Sequence, residues 1–263
     1  MAATSRLSAT TRGVSWLGPV ARVRIVIILV ALVAWEALAA SGLLFQDVVP
    51  SLVKIGAALA KIVVDPAFYK NLGATAHEVV LATLIGGVAG LAVGIVLGGS
   101  RFLSRAYEPF LYYLGPTPKI IFFPVMIMWF GVGAGSKIAM GALSCFFPVA
   151  LSAAAGMREI DKVLIRVGRS FRANTQQMVT KIYLPAMRAP IINGFRLGMG
   201  VAIIGVLLAE TKLSNQGLGY MIIQAYSLFN MPQMYALLII VFLIAALINA
   251  GIDRINRTTA PGR

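Results

Sequence analysis

The residues able to do chemistry in this chain are few and scattered. There is one histidine, His77, and one cysteine, Cys145. Neither has the spaced companions that a zinc site or an activated nucleophile requires. His77 adjoins Glu78, which reads as an interfacial pair. Cys145 lies in an apolar run with Leu143, Phe146 and Phe147 and reads as a small buried hydrophobe. The glycine-rich stretch Gly131–Lys137 superficially suits a phosphate, but its order is Gly-Ser-Lys, and a phosphate loop needs Gly-Lys-Ser/Thr after four free positions. Ser214–Tyr220 also lacks the strand-to-helix setting of a nucleotide fingerprint. No catalytic, metal or cofactor-binding residue is therefore assigned. What remains are ionisable or polar groups in apolar surroundings. Glu36 follows Trp35, and Glu210 precedes a polar stretch containing Asn215, Gln216, Gly217 and Gly219. Such groups mark structural partnerships, pathways or gates.

The elements around them are membrane helices. Of 263 residues, 59% are hydrophobic and only 12% charged, against about 45–50% and about 25% in soluble domains. A crossing helix needs roughly 20 apolar residues, and the charge-poor intervals predict six: Ile25–Phe45, Val79–Ser100, Ile120–Ser136, Ile138–Met157, Ile191–Ala209 and a last span from about Gln233 to Ile252. Before the last span, the polar stretch from Leu213 to Pro232 reads as a polar-lined or re-entrant segment, with a flexible constriction at Ser214–Tyr220. The fold class is all-α, a polytopic membrane protein with about six transmembrane helices. Residues 1–23 and 258–263 read as tails flanking a membrane domain at 24–257.

The formal net charge of +14 is explained by placement, not by nucleic acid. With the N-terminus inside, sixteen of the 23 Lys and Arg residues fall on internal segments. Five, namely Lys54, Lys61, Lys70, Lys137 and Lys212, fall outside, and Lys119 and Arg196 lie within apolar stretches near internal ends, from which they snorkel. This is the positive-inside bias, and it predicts that both termini are cytoplasmic. In the second span Ala82, Gly86, Gly90, Gly94 and Gly98 recur every fourth residue, a face built for close helix contact. The long internal loop 158–188 contains an amphipathic helix expected from Asp161 to about Gln177. Its apolar positions Val163, Ile165, Val167 and Phe171 alternate with Arg166, Arg169 and Arg172. Such a helix suits either lipid headgroups or a cytoplasmic partner.

That loop resembles the EAA loop of the inner-membrane permeases of binding-protein-dependent ABC importers, E-A-A-x3-G-x9-I-x-L-P. Ile182, Leu184 and Pro185 match its end, and Ala173 continues the usual Gly-Ala step. Arg172 stands where the family has glycine, and Arg166, Val167 and Gly168 stand at Glu-Ala-Ala. The likeness to the nitrate/sulfonate/taurine branch extends through Trp35-Glu36, Pro50-Ser51, Met128–Ile138, Phe146–Asp161 and Ala209–Tyr220. It implies a transport subunit rather than an enzyme, in the bacterial inner membrane. A cytoplasmic coupling helix at 162–176 would contact the ATPase. The implied partners are a second permease copy in a homodimer, two ABC ATPases carrying ATP and Mg, an external solute-binding protein and membrane lipid. The implied solute is a small anion such as a sulfonate, taurine or nitrate. The alternative is a secondary transporter or channel without an ATPase, against which stand the lack of an internal repeat and the scarcity of intramembrane carboxylates.

Overall fold

A computed structural model describes residues 18–42 and 48–259; most of the two expected tails lies outside them. Every regular element among the described residues is helical. They divide into two compact units at Lys54/Ile55.

The first unit contains α1 (Pro19–Ala40), with Pro19 at its first turn. The helix begins within the expected tail and stops before Phe45, because Ser41 closes it and Gly42 turns left-handed at φ 66°. Glu36 Oε2 accepts a 2.9 Å hydrogen bond from the backbone N–H of Leu52. Trp35 Nε1 donates to the carbonyl of Pro50 at 3.1 Å. Both bonds fix the start of α2 (Leu52–Val64), which continues into the second unit.

The second unit is organised on three long helices: α3 (Pro66–Gly99), α6 (Ala134–Glu159) and α10 (Arg188–Glu210). The four-residue glycine repeat of α3 lies against carbonyls of α6 at the same four-residue step. A Cβ at Gly90 would lie 2.6 Å from the Phe146 oxygen, one at Gly94 2.5 Å from the Ala150 oxygen, and one at Gly98 2.5 Å from the Ala154 oxygen. Gly86 meets the Ala142 carbonyl in the same way. The contact is within one chain, and both series rise together, so α3 and α6 run parallel. On α10, Gly194, Gly198 and Gly205 face Ser152, Cys145 and Ser144, a descending order that makes α10 antiparallel to both. Small residues thus bring three backbones together where lipid supplies no hydrophobic drive for association.

Parallel α3 and α6 require the chain to return between them. The return is made by α4 (Arg101–Leu114) and the segment Lys119–Phe130, bent by 93° to each other. The second of these holds a 3-10 turn (Lys119–Phe122) and α5 (Phe123–Phe130). This corrects the expected third span at Ile120–Ser136. The charge-free run is cut at Gly131, with φ 77°, and its last residues already belong to α6. The helix missing from that expectation is α4, which Arg101, Arg105 and Glu108 kept out of the charge-poor intervals. Its Glu108 is buried and ion-paired with Arg158 at the end of α6. Five single helices are long and apolar enough to cross a membrane, or six with the bent pair.

After α6 come α7 (Lys162–Ser170), α8 (Thr175–Gln177), a π-helical turn (Met178–Tyr183) and α9 (Leu184–Ala186), which lead into α10. Two helices close the chain: α11 (Leu218–Ser227) and α12 (Met231–Thr259).

Candidate functional site

Two constellations stand at opposite ends of the three-helix core. The first is the loop after α6. Asp161 caps α7 by accepting from the Val163 N–H at 2.8 Å. The helix expected to run to Gln177 ends instead at Ser170. Arg172 adopts φ 52°, and the N–H groups of Arg172 and Ala173 donate to the carbonyls of Arg169 and Gly168 at 2.9 and 3.0 Å. These are the two bonds of a Schellman stop, whose left-handed position favours glycine. Arg172 fills the position where the family pattern carries glycine, and it adopts the left-handed conformation that glycine favours. A new helix then starts on a capping box, Asn174 with Gln177.

Gly168 is buried because the chain folds back on it. A Cβ there would collide with Ile182 and lie 2.7 Å from the Met178 sulfur. The two ends of the sequence pattern are therefore in contact: the small residue at its start makes room for the isoleucine near its end. Ile165, Tyr183 and Met187 join Ala153, Met157, Ile160 and Ile191 in one apolar cluster, which fastens α7 to α6 and α10. Leu184 is half-buried and Pro185 exposed. The outer face of α7 is open. Val163, Leu164 and Val167 are about half exposed and Phe171 is 82% exposed. At 100° per residue these positions form one stripe, with exposed Arg166 and Arg169 beyond its Val163 edge.

The second constellation joins the start of α3, the start of α6 and the end of α10. Glu78, Lys137 and Glu210 are each only 1% exposed. Lys137 Nζ lies 2.5 Å from Glu78 Oε1. The partner of Glu78 is thus Lys137, fifty-nine positions away, and not the exposed His77 expected from adjacency. Glu210 accepts from Thr75 Oγ1 and from the Gly219 N–H, both at 2.6 Å. The Leu218 N–H donates to Thr75 Oγ1 at 2.8 Å, and the Gly217 N–H donates to Asn71 Oδ1 at 2.7 Å. Lys137 also donates to Ser214 Oγ and to the Gln216 carbonyl at 3.2 and 3.3 Å.

The segment expected to be flexible is therefore tied down. Its glycines are demanded by position: Gly217 has φ 114°, and any Cβ would strike the Glu210 carboxylate. Gly219 lies against the Leu207 carbonyl and the Glu210 side chain. Only Asn215 of this stretch is well exposed. Asn71, Thr75, Lys137 and Leu218 were not singled out by the sequence. The available signal was that Glu78, Lys137 and Glu210 all fall at span ends on the same side.

A core of close-packed apolar helices, with a capped polar loop at one end and a buried ion network at the other, is the architecture of a polytopic membrane protein. The chain belongs to the family of binding-protein-dependent transport system inner membrane components, whose model matches residues 86–262. A putative aliphatic sulfonates transport permease protein of Bacillus subtilis is 29% identical over 87% of this chain and 83% of its own length. The taurine transport system permease protein of Escherichia coli is 30% identical over 75% of this chain and 72% of its own. The fold matches a chain of the MetNI methionine ABC transporter, in an inward-facing conformation, with TM-score 0.66 and 21% identity over 74% of this chain and 97% of that one. The chain is an inner-membrane permease and not an enzyme.

Proposed function

We propose that this permease is the membrane-spanning subunit of an ATP-driven importer for a small anion, and that α7 and its closing turn form the docking surface for a cytoplasmic ATPase. The observation that carries this reading is the open stripe Val163, Leu164, Val167 and Phe171, with arginines along one edge, on a helix fastened from behind to α6 and α10. An apolar stripe facing water needs a partner. The cluster behind it makes α7 move with the core and not independently of it. The concentration of basic residues on this side supports a cytoplasmic orientation for it and for both termini.

ATP and Mg belong to the ATPase, of which two copies serve a pair of permeases, and an external binding protein delivers solute. Closure of the ATPase pair on ATP drives α7, and through Met187 and Ile165 it drives α10 and α6. Import then requires solute affinity to differ between the outward- and inward-open states, because only differential binding shifts a two-state equilibrium. Relatives named for sulfonates, taurine and nitrate support a small oxyanion as the solute.

Gentle extraction of the tagged chain from its host tests the reading. A stoichiometric P-loop ATPase is expected to co-purify, and to be lost on V167E or F171E with the yield and elution of the permease unchanged. A clean chain, under conditions that hold a control importer together, would overturn it in favour of transport without an ATPase.

A further inference from the structure

The exposed half of α7 carries two chemistries side by side. Beyond the Val163 edge of the apolar stripe, Lys162, Arg166 and Arg169 recur at i, i+4 and i+7, which sets them in one row on the helix surface. At 1.5 Å per residue the row is about 10 Å long. The other edge has no cation. Past Leu164 the surface turns into Ile165 and buried Gly168, which pack against the rest of the chain. Arg172 adds a fourth cation beyond the helix end, next to Phe171, in its left-handed turn. All four cations are exposed, and among the described residues none of their side chains holds an ion pair or hydrogen bond. The chain that follows has no carboxylate to offer them. No acidic residue stands between Asp161, which caps α7, and Glu210 at the far end of α10.

We infer that the cleft receiving α7 on the ATPase has an apolar floor and a row of carboxylates along one wall, the wall that meets Lys162, Arg166 and Arg169. The inference rests on the docking reading above and adds the chemistry of the partner. Cations set against an uncharged wall would lose hydration without gaining a counter-charge, so a wholly apolar cleft does not fit this face. An apolar stripe by itself lets a short helix enter a groove in either direction. Cations on one edge remove that freedom, because turning the helix end for end carries them to the opposite wall. Arginine adds paired N–H donors matched to both oxygens of a carboxylate. The left-handed arginine points the same way. Backbone strain persists where a residue is in use, and the Arg172 side chain has no bond within the described residues. A lipid headgroup layer is also acidic, but mobile lipids set no order and reward cations on either edge equally. A one-sided row with a strained fourth cation suits a fixed wall of protein.

The purified complex of permease and co-purified ATPase is treated with a carbodiimide, which joins a lysine amine to a carboxylate in contact with it. Lys162 of the unsubstituted chain, and the lysines introduced by R166K and R169K, are each expected to couple to an Asp or Glu of the ATPase. The coupled peptides, identified by mass spectrometry, should fall on one wall of its cleft and in the order of the row. Because Lys162 is native, this readout needs no variant to fold. Binding of the separated ATPase to the permease in lipid nanodiscs gives a second readout. Raising salt from about 0.05 to about 0.5 M shortens the screening length and should slow association about tenfold, the scale for steered partners. K162Q, R166Q and R169Q together should remove most of that dependence. No coupled product from a complex that stays intact, or association indifferent to salt, would overturn the acidic wall and leave the docking reading standing. Products on both walls would overturn its one-sidedness. The row would belong to lipid if the unsubstituted chain melted higher in phosphatidylglycerol than in phosphatidylcholine nanodiscs, and the triple variant lost that gain while binding the ATPase unchanged. Failure of any ATPase to co-purify would overturn the docking reading itself.

Discussion

At residue 172 the backbone and the side chain disagree. The Schellman stop requires a left-handed residue, and an arginine there forfeits about 1 kcal/mol relative to glycine. R172G should therefore raise the unfolding midpoint of the detergent-purified protein slightly. It also removes a cation beside the apolar stripe of α7, so ATPase affinity should fall where stability rises. Opposite signs in the two measurements would separate a retained contact residue from an accident of backbone geometry. The sequence pattern exposed this position, because a motif places glycine there. It did not expose the reason, which is the φ of 52°.

Among the elements, α3 and α6 are held by exclusion of side chains. G90A adds one methyl 2.6 Å from a backbone oxygen that cannot swing away. About 1–3 kcal/mol of overpacking is expected, visible as a lower thermal midpoint, whereas G200A, where a Cβ meets nothing within 4 Å, should be close to neutral. Equal effects at the two sites would contradict the packing described. The glycine spacing was legible in the sequence because it is a pattern within one helix. Its partner was not, since the opposing atoms are carbonyls of Ala142, Phe146, Ala150 and Ala154, which carry no distinctive side chains. The helix α4 was hidden for a related reason. Arg101, Arg105 and Glu108 mark it as polar, and only the folded chain shows Glu108 buried against Arg158. The break after Ser170 was hidden because apolar periodicity continues through Phe171 and says nothing of the sign of φ at the next residue.

For the whole molecule, the ion network binds the ends of three long helices and the loop before α11 into one unit. Two buried carboxylates and one ammonium share it, so removing the ammonium leaves the Glu78 carboxyl buried without its cation. K137M should cost about 3–5 kcal/mol, as expected for breaking a buried pair. K137M combined with E78Q should recover much of the loss, measured as the unfolding midpoint of the purified permease. No recovery would mean that Lys137 acts through Ser214 and Gln216 instead of through Glu78. Five of the expected spans were readable from composition, and the sixth corresponds to the bent pair of α4 and Lys119–Phe130. This network was not, because all of its bonds except that between Gly219 and Glu210 join residues far apart in the chain.

The parallel course of α3 and α6 also imposes an order on biosynthesis. Gly86 meets Ala142, so the partner of the glycine face leaves the ribosome only after the whole return segment has been made. At about 5–20 residues per second the face waits several seconds in the bilayer beside a bent and partly charged segment. A face of glycines presents little side-chain surface to a wrong neighbour during that interval. The same residues that close the finished core therefore keep the nascent helix uncommitted until its proper partner arrives.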